Sequence, residues 1–436
     1  MIHFFTGRAG SGKSTAVIEA IRSALAIPER ELVLLVPEQQ TVAWESRLAA
    51  ALPASANLRL EITNFTRLAN TVFRTYGGLS EPVIDEGSRS LLIWRAMLGT
   101  WDSLQVYTGG APKPDAKSDA GHEERNIPRL MAAVDELKTA GVTPAEAEKA
   151  LRSLEENGEG GSDLAKRLSD AVLVYAAYNE LLHEDAVDRG DLYDTLIETL
   201  AAHPYFAGKS VFVDSFFSLT APQERILAEI FAEAADVTVT FSCPKPQKNE
   251  PFEIQFGETR DFLKRAAVLA ARAGKEPVIT EFGENLRHRE NEELRALERS
   301  LFCYQTPLTE KTSDEIEKMP LSESVRMIRC ADKTDEAEAA AALIDRLLHE
   351  GYRCRDIVVL ARNMKAREAI LGPILRRHDI PCFLSETALV STSPAVRLVL
   401  AALTVGAGGW QRADVLRLVK TGLTPLGLPE NPAFLA

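Results

Sequence analysis

Eight residues near the amino terminus, Gly7-Arg8-Ala9-Gly10-Ser11-Gly12-Lys13-Ser14, constrain this chain more than any other stretch, because they match G-x-x-x-x-G-K-[ST] in full. Ahead of them Ile2-His3-Phe4-Phe5 reads as a buried strand, and behind them Val17, Ile18, Ile21 and Leu25 recur at helical spacing. Strand, loop and amphipathic helix form the frame in which the motif works. The glycines let successive backbone N–H groups turn toward phosphate oxygens, and the helix N-terminus favours negative charge. The loop from Gly7 to Thr15 is therefore expected to bind ATP, with Lys13 reaching the β and γ phosphates and Ser14 placing its hydroxyl on Mg2+. Kinases, GTPases and motors share the motif, so the rest of the chain must decide between them.

Past the first helix the pattern continues as α/β. Strands are expected at Glu31 to Val36 and Leu58 to Ile62, with helices from Glu38 to Leu52 and from a Thr63 cap through Tyr76, where Gly77-Gly78 supplies a stop. From Glu81 to His203 only helical periodicity remains, with start signals at Asp85, Thr143-Pro144 and Asp191 and a polar loop from Gly109 to Asn126. Strand character resumes at Ser210 to Asp214 and Val237 to Phe241, around a helix begun near Thr220-Ala221-Pro222. A second α/β unit is expected from strands at Val325 to Arg329, Ile357 to Leu360 and Pro381 to Leu384, alternating with helices Asp335 to Glu350 and Lys365 to His378. It does not complete a doubly wound sheet, which suggests a truncated chain. The division expected is a split first domain at 1–80 and 204–315, a helical insertion at 81–203, the start of a second domain at 316–390, and a further helical region at 391–436.

With 436 residues the chain is long enough for two or three domains, and 45% hydrophobic with 26% charged residues is ordinary for a protein that folds in water. Its apolar runs fall short of the roughly 20 residues of a bilayer span, and a cytoplasmic location is expected. Cys243, Cys303, Cys330, Cys354 and Cys382 are isolated, which points neither to a zinc knuckle nor to a disulfide framework. A net charge of −13 excludes a protein coated in basic surface but leaves room for a local basic groove.

A phosphate-loop domain interrupted by helices and followed by a second α/β domain resembles the superfamily-one helicases of the UvrD and Rep type. In those motors an acidic motif, roughly D-E-x-Q-D-x-x-x-x-Q, follows an apolar strand. Here Val211-Phe212-Val213-Asp214 is followed by Ser215, Phe217 and Ser218, with Gln223 at the expected end. Asp214 is left to hold Mg2+ through water, while Ser215 stands where a glutamate would activate the attacking water. No G-D-x-x-Q motif follows Phe241, and no N-Y-R segment supplies an arginine for the γ phosphate. Val36-Pro37-Glu38-Gln39-Gln40-Thr41, Thr63-Asn64-Phe65-Thr66-Arg67-Leu68-Ala69, Leu297-Glu298-Arg299-Ser300-Leu301-Phe302 and a loop beginning already at residue 7 look like the AddB subunits of bacterial helicase–nucleases.

That resemblance implies a RecA-like parallel-sheet domain with a helical insertion and a partial second RecA-like domain. It implies an inactive motor paired with an AddA-type helicase–nuclease subunit, holding single-stranded DNA at DNA ends during double-strand break repair and scanning for a Chi-like hotspot. The family's exonuclease and 4Fe-4S cluster are expected only in the full-length protein. Phe65 and Arg67 fall in the segment that, by resemblance, touches DNA; Phe65 also lies on an apolar helix face with Leu68, Ala69, Val72 and Phe73, and both roles stay open. A rival reading is a self-sufficient phosphate-loop ATPase or small-molecule kinase with a helical lid.

Overall fold

The computed structural model describes residues 1–78, 83–108, 113, 126–157, 161–182, 188, 191–244, 254–301, 324–383 and 390–424. The polar loop expected from Gly109 to Asn126 lies almost entirely outside them. The chain divides into two compact units, Met1–Ser324 and Val325–Ala436.

The first unit is built on a six-stranded sheet. In chain order its strands are β1 (Ile2–Gly7), β2 (Leu32–Leu35), β3 (Leu60–Thr63), β4 (Ser210–Val213), β5 (Asp236–Phe241) and β6 (Val278–Phe282), arranged β3-β2-β4-β5-β1-β6. Every pairing is parallel. Parallel strands need covered faces, and the side-chain alternation supplies both. Leu32, Leu34 and Phe212 point to one face, under Val17 and Ile21 of α1 (Lys13–Leu25) and Trp44 and Leu48 of α2 (Thr41–Ala51). Val33, Leu35, Val211, Val213 and Phe241 point to the other, under α3 (Phe65–Tyr76), α8 (Asp191–Ala202), α9 (Ala221–Glu233) and α10 (Gly257–Arg272).

Between β3 and β4 run α4 (Glu86–Thr100), α5 (Ile127–Thr139), α6 (Pro144–Glu156), α7 (Asp163–Leu182) and α8. Ile93, Met97, Trp101, Leu130, Val134 and Tyr178 form a separate helical core. Asp85 caps α4 by accepting from Ser88 N at 2.7 Å, as its sequence signal predicts. Asn64 rather than Thr63 caps α3, accepting from Arg67 N at 2.9 Å. Thr63 is the last residue of β3, because the strand pairs one residue further than its apolar run suggests. The strand β6 was not expected; its burial is too low to leave an apolar signature.

The second unit departs from expectation. Its helices, Lys333–His349, Met364–Arg377, Pro394–Ala407 and Arg412–Val419, form, and the first two share a small core of Ala337, Ala341, Ile344, Leu371, Ile374 and Leu375. The strands expected at 325–329, 357–360 and 381–384 do not: no described residue there is in a ladder, and Leu384 lies outside the described set. Met327 is 98% exposed, Leu360 89% and Phe383 92%. A strand needs a neighbouring strand to complete its ladder, and no ladder forms at these runs among the described residues. No described helix is long and apolar enough to cross a membrane.

Candidate functional site

The phosphate-binding motif sits where β1 leaves the sheet at its carboxyl end, the edge at which open parallel sheets collect their ligands. Gly7 N donates to Cys243 O at 2.7 Å, tying the loop's start to the segment after β5. Gly10 and Gly12 adopt φ of 78° and 93°, a region that disfavours every residue with a Cβ. Gly12 then hands the chain to α1, so Lys13, Ser14 and Thr15 form its first turn. Ala9 and Thr15 face solvent, and Ser14 is half-buried. The Ser11 hydroxyl is buried with no hydrogen-bond partner among the described residues, an orphan donor inside the loop.

Lys13 is buried, its ammonium donating to the carbonyls of Gly7 at 2.7 Å and Arg8 at 2.9 Å. Burial lowers its pKa, against the pull of the Asp214 carboxylate, so the two side chains lie within electrostatic reach. Asp214 follows β4, which is separated from β1 by β5. It is 3% exposed and accepts from Ser215 Oγ at 2.7 Å and from the Thr240 hydroxyl. A loop of turned backbone amides, an orphan hydroxyl, an ammonium and a carboxylate are a donor set that fits a magnesium triphosphate. Burial pushes the Cys243 thiol beside the loop up to about 11, which keeps it protonated and unreactive.

Ser215, in the place of a water-activating glutamate, takes φ of 69° and spends its hydroxyl on Asp214. Gln223 is engaged structurally: its Oε1 accepts from Thr220 N at 3.0 Å and closes the capping box that starts α9.

Three residues that sequence reasoning left out meet the loop. Leu286 N and Arg287 N both donate to Gly10 O, at 2.9 and 3.1 Å. A Cβ on Gly10 would fall 2.9 Å from Asn285 Oδ1 and from Arg287 Cβ, and one on Gly12 2.9 Å from Leu286 Cδ1. Asn285-Leu286-Arg287 therefore lies across the loop, and Arg287 is close enough to lower the Lys13 pKa. No N-Y-R segment is found here; what crosses the loop is Asn285-Leu286-Arg287, held through its backbone amides.

The residues expected to touch DNA separate. Phe65 is 3% exposed and its ring packs edge-on against Phe216 and Tyr193 at 5.5 and 6.2 Å, so it is core and cannot stack on a base. Arg67, two residues further along α3, is exposed. It lines a cavity of about 480 Å³ with Asn64, Lys138, Asp188 and Gln223. Phe217, on the loop after β4, is 68% exposed. Among the described residues no group of three or more His, Cys, Asp or Glu side chains is placed to hold a metal, and Cys243, Cys330, Cys354 and Cys382 are free thiols.

Residues 4–298 match the family described as ADDB, N-terminal. The chain is similar to proteins named as the B subunits of bacterial ATP-dependent helicase/deoxyribonucleases: it is 30% identical to that of Desulforudis audaxviator over 98% of this chain and 35% of the relative. It is 28% identical to that of Alkaliphilus oremlandii over 98% of this chain and 36% of the relative, and 27% identical to that of Thermoanaerobacter sp. strain X514 over 100% and 36%. The chain thus spans about a third of the length of these relatives. With the loop from Gly7 to Thr15 and the segment across it inside the matched region, the chain belongs to the AddB N-terminal family.

Proposed function

We propose that this chain is the nucleotide-binding and DNA-holding part of an AddB-type helicase–nuclease subunit, partnered by an AddA-type subunit, that processes double-strand breaks for homologous recombination and scans single-stranded DNA for a Chi-like hotspot. One observation carries the reading: the Lys13 loop and the Asp214 carboxylate lie within electrostatic reach at the carboxyl edge of one parallel sheet, in a chain of the AddB family. We assign residues 1–80 and 204–315 to a split RecA-like domain and 81–203 to a helical insertion; 316–390 begin a second domain, whose described elements are helical, and 391–436 a further helical region. The parallel sheet formed by residues from both parts of the first domain supports the split. The cluster and the exonuclease belong to the longer protein.

Bound ATP with Mg2+ would supply the triphosphate and the cation. Backbone amides from Gly7 to Gly12 would cradle its phosphates, Lys13, which now donates to the Gly7 and Arg8 carbonyls, would bind the terminal ones, and Ser14 with Asp214, through water, would hold the metal. Arg287 adds a second cation over the loop. Ser215 cannot take a proton from water as a carboxylate does, so hydrolysis is slow and the domain does not drive translocation. For DNA, exposed Arg67 contacts the backbone, and the exposed ring of Phe217, rather than Phe65, offers a stacking surface.

Binding of a fluorescent ATP analogue and steady-state hydrolysis, each with and without oligo-dT, test this. Binding lost in Lys13→Ala, with little turnover in the native chain, is the expected result. Binding indifferent to Lys13 would overturn the nucleotide site. Brisk turnover stimulated by DNA would overturn the non-motor reading, and brisk turnover indifferent to DNA would favour a self-sufficient ATPase.

A further inference from the structure

The phosphate loop carries an arginine, Arg8, at its first variable position, and that side chain does not face the bonds that define the loop. Its Nε donates to Glu298 Oε1 at 2.8 Å, and its Nη2 donates to the Glu298 carbonyl at 2.8 Å and the Arg299 carbonyl at 3.5 Å. The guanidinium also sits 4.9 Å above the Phe256 ring. Glu298 and Arg299 are in the last turn of α11 (Glu292–Ser300), so Arg8 supplies a cation and donors where that helix ends in unpaired carbonyls.

This anchor matters because α11 buries little of its own, its other ties being at its start, where Asn291 Nδ2 donates to Ser324 Oγ at 2.7 Å and Glu293 Oε2 accepts from Ser324 N at 3.3 Å. None of its residues is buried, Leu297 is 38% exposed, and Leu301 just beyond it is 50% exposed. Its start is held by the Asn291 cap and by the Leu286 and Arg287 amides on Gly10 O. Elements with few buried apolar contacts open at low free-energy cost. The last turn of α11 is fastened directly to the loop that would hold phosphate, and the segment leading into the helix is tied to it through Leu286 and Arg287.

We propose that the Arg8–Glu298 pair is a nucleotide-sensitive latch: phosphates at the loop draw Arg8 away from Glu298 and repel the Glu298 carboxylate, and α11 is released. The proposal rests on the nucleotide-binding reading above. Glu298 lies close enough to Lys13 to raise its pKa, so a phosphate meeting Lys13 lies within the same reach of Glu298. The pair is only partly shielded, each side chain being 21% exposed, so a multiply charged competitor can break it. The guanidinium's planar fork suits phosphate as well as carboxylate.

Hydrogen exchange over residues 292–300 of the whole chain, with and without Mg·ATP, read beside titration with a fluorescent ATP analogue, tests the latch. In the native chain nucleotide should raise α11 exchange several-fold, and Lys13→Ala should abolish both binding and this response. Glu298→Gln keeps the shape and removes the charge; it should show raised α11 exchange without nucleotide and bind the analogue about three- to tenfold more tightly. Arg8→Ala should also free α11 but bind no more tightly than the native chain, because a phosphate ligand is lost. Lys13-dependent binding with α11 exchange unchanged would sink the latch and leave the nucleotide site standing. So would native affinity in Glu298→Gln, or Arg8→Ala binding as tightly as Glu298→Gln. No binding by the native chain would remove the site and the latch together.

Discussion

Val211-Phe212-Val213 and Val358-Val359-Leu360 are alike in character, short apolar runs that include β-branched residues, yet the molecule treats them oppositely. The first is β4, paired to β2 on one side and β5 on the other, and its three residues are 1%, 3% and 1% exposed. The second is in no ladder, and its residues are 74%, 40% and 89% exposed. Strand propensity measures fit to a pleated, half-buried surface and not a preference of the run itself. In the first unit, neighbours on both sides and helices on both faces supply that surface. In the second, helices Lys333–His349 and Met364–Arg377 pack on each other and leave the run uncovered.

The largest effect expected from this contrast is at Phe212. Its ring fills the face covered by Trp44, Val17 and Ile21, so Phe212→Ala should cost about 3–5 kcal/mol of first-unit stability. Trp44 is fully buried in the same cluster, so the loss is readable as a lowered urea midpoint in tryptophan fluorescence. A cost below about 1 kcal/mol would mean that the sheet face is looser than its burial implies.

Charge repeats the contrast. In the first unit Asp188 is 2% exposed, accepts from Tyr178 Oη at 2.9 Å, and pairs with Lys138 at 3.1 Å and Arg89 at 3.4 Å. In the second, Arg377–Glu338 and Arg353–Asp356 lie in solvent. Burial alone would raise the Asp188 pKa, but the Lys138 ammonium and the Arg89 guanidinium outweigh it and leave it below the ordinary carboxylate value. A carboxylate with a depressed folded-state pKa adds stability above its unfolded value, about 4, and loses it as pH falls through the folded one. Asp188→Asn should therefore cost about 2–3 kcal/mol at pH 7, the loss shrinking below about pH 4 as the native carboxylate is protonated. Urea midpoints of both proteins measured from about pH 6 to about pH 3 should converge on the acid side; parallel curves would show that Asp188 is not titrating in the folded state as its partners require.

How much could be read in advance follows the same division. The phosphate loop was legible because its glycines are demanded by local backbone geometry, which sequence states directly. Asp85 and Thr220 were legible as helix starts for the same reason, since a cap is a contact over three residues. Phe65 was ambiguous because a helical apolar face does not say what covers it, and Phe216 and Tyr193 come from far along the chain. Arg287 was missed because its place over Gly10 is set by β6, an exposed edge strand without an apolar signature. The second-unit strands were misread because a ladder is a property of two segments and a sequence window shows one.

The smallest effect is the most direct test of the contrast. Leu360 at 89% exposed has almost no contact to lose, so Leu360→Ser should move the stability of the second unit by no more than about 0.5 kcal/mol. Exposed apolar runs with unpaired backbone invite other chains, so the double change Val358→Ser with Leu360→Ser should lower concentration-dependent light scattering of the isolated protein while its circular dichroism stays unchanged. A cost for Leu360→Ser approaching that of Phe212→Ala would mean that the run is a covered strand in solution. The two apolar runs would then differ only in their neighbours' identity, and the case that pairing rather than propensity separates them would fall with it.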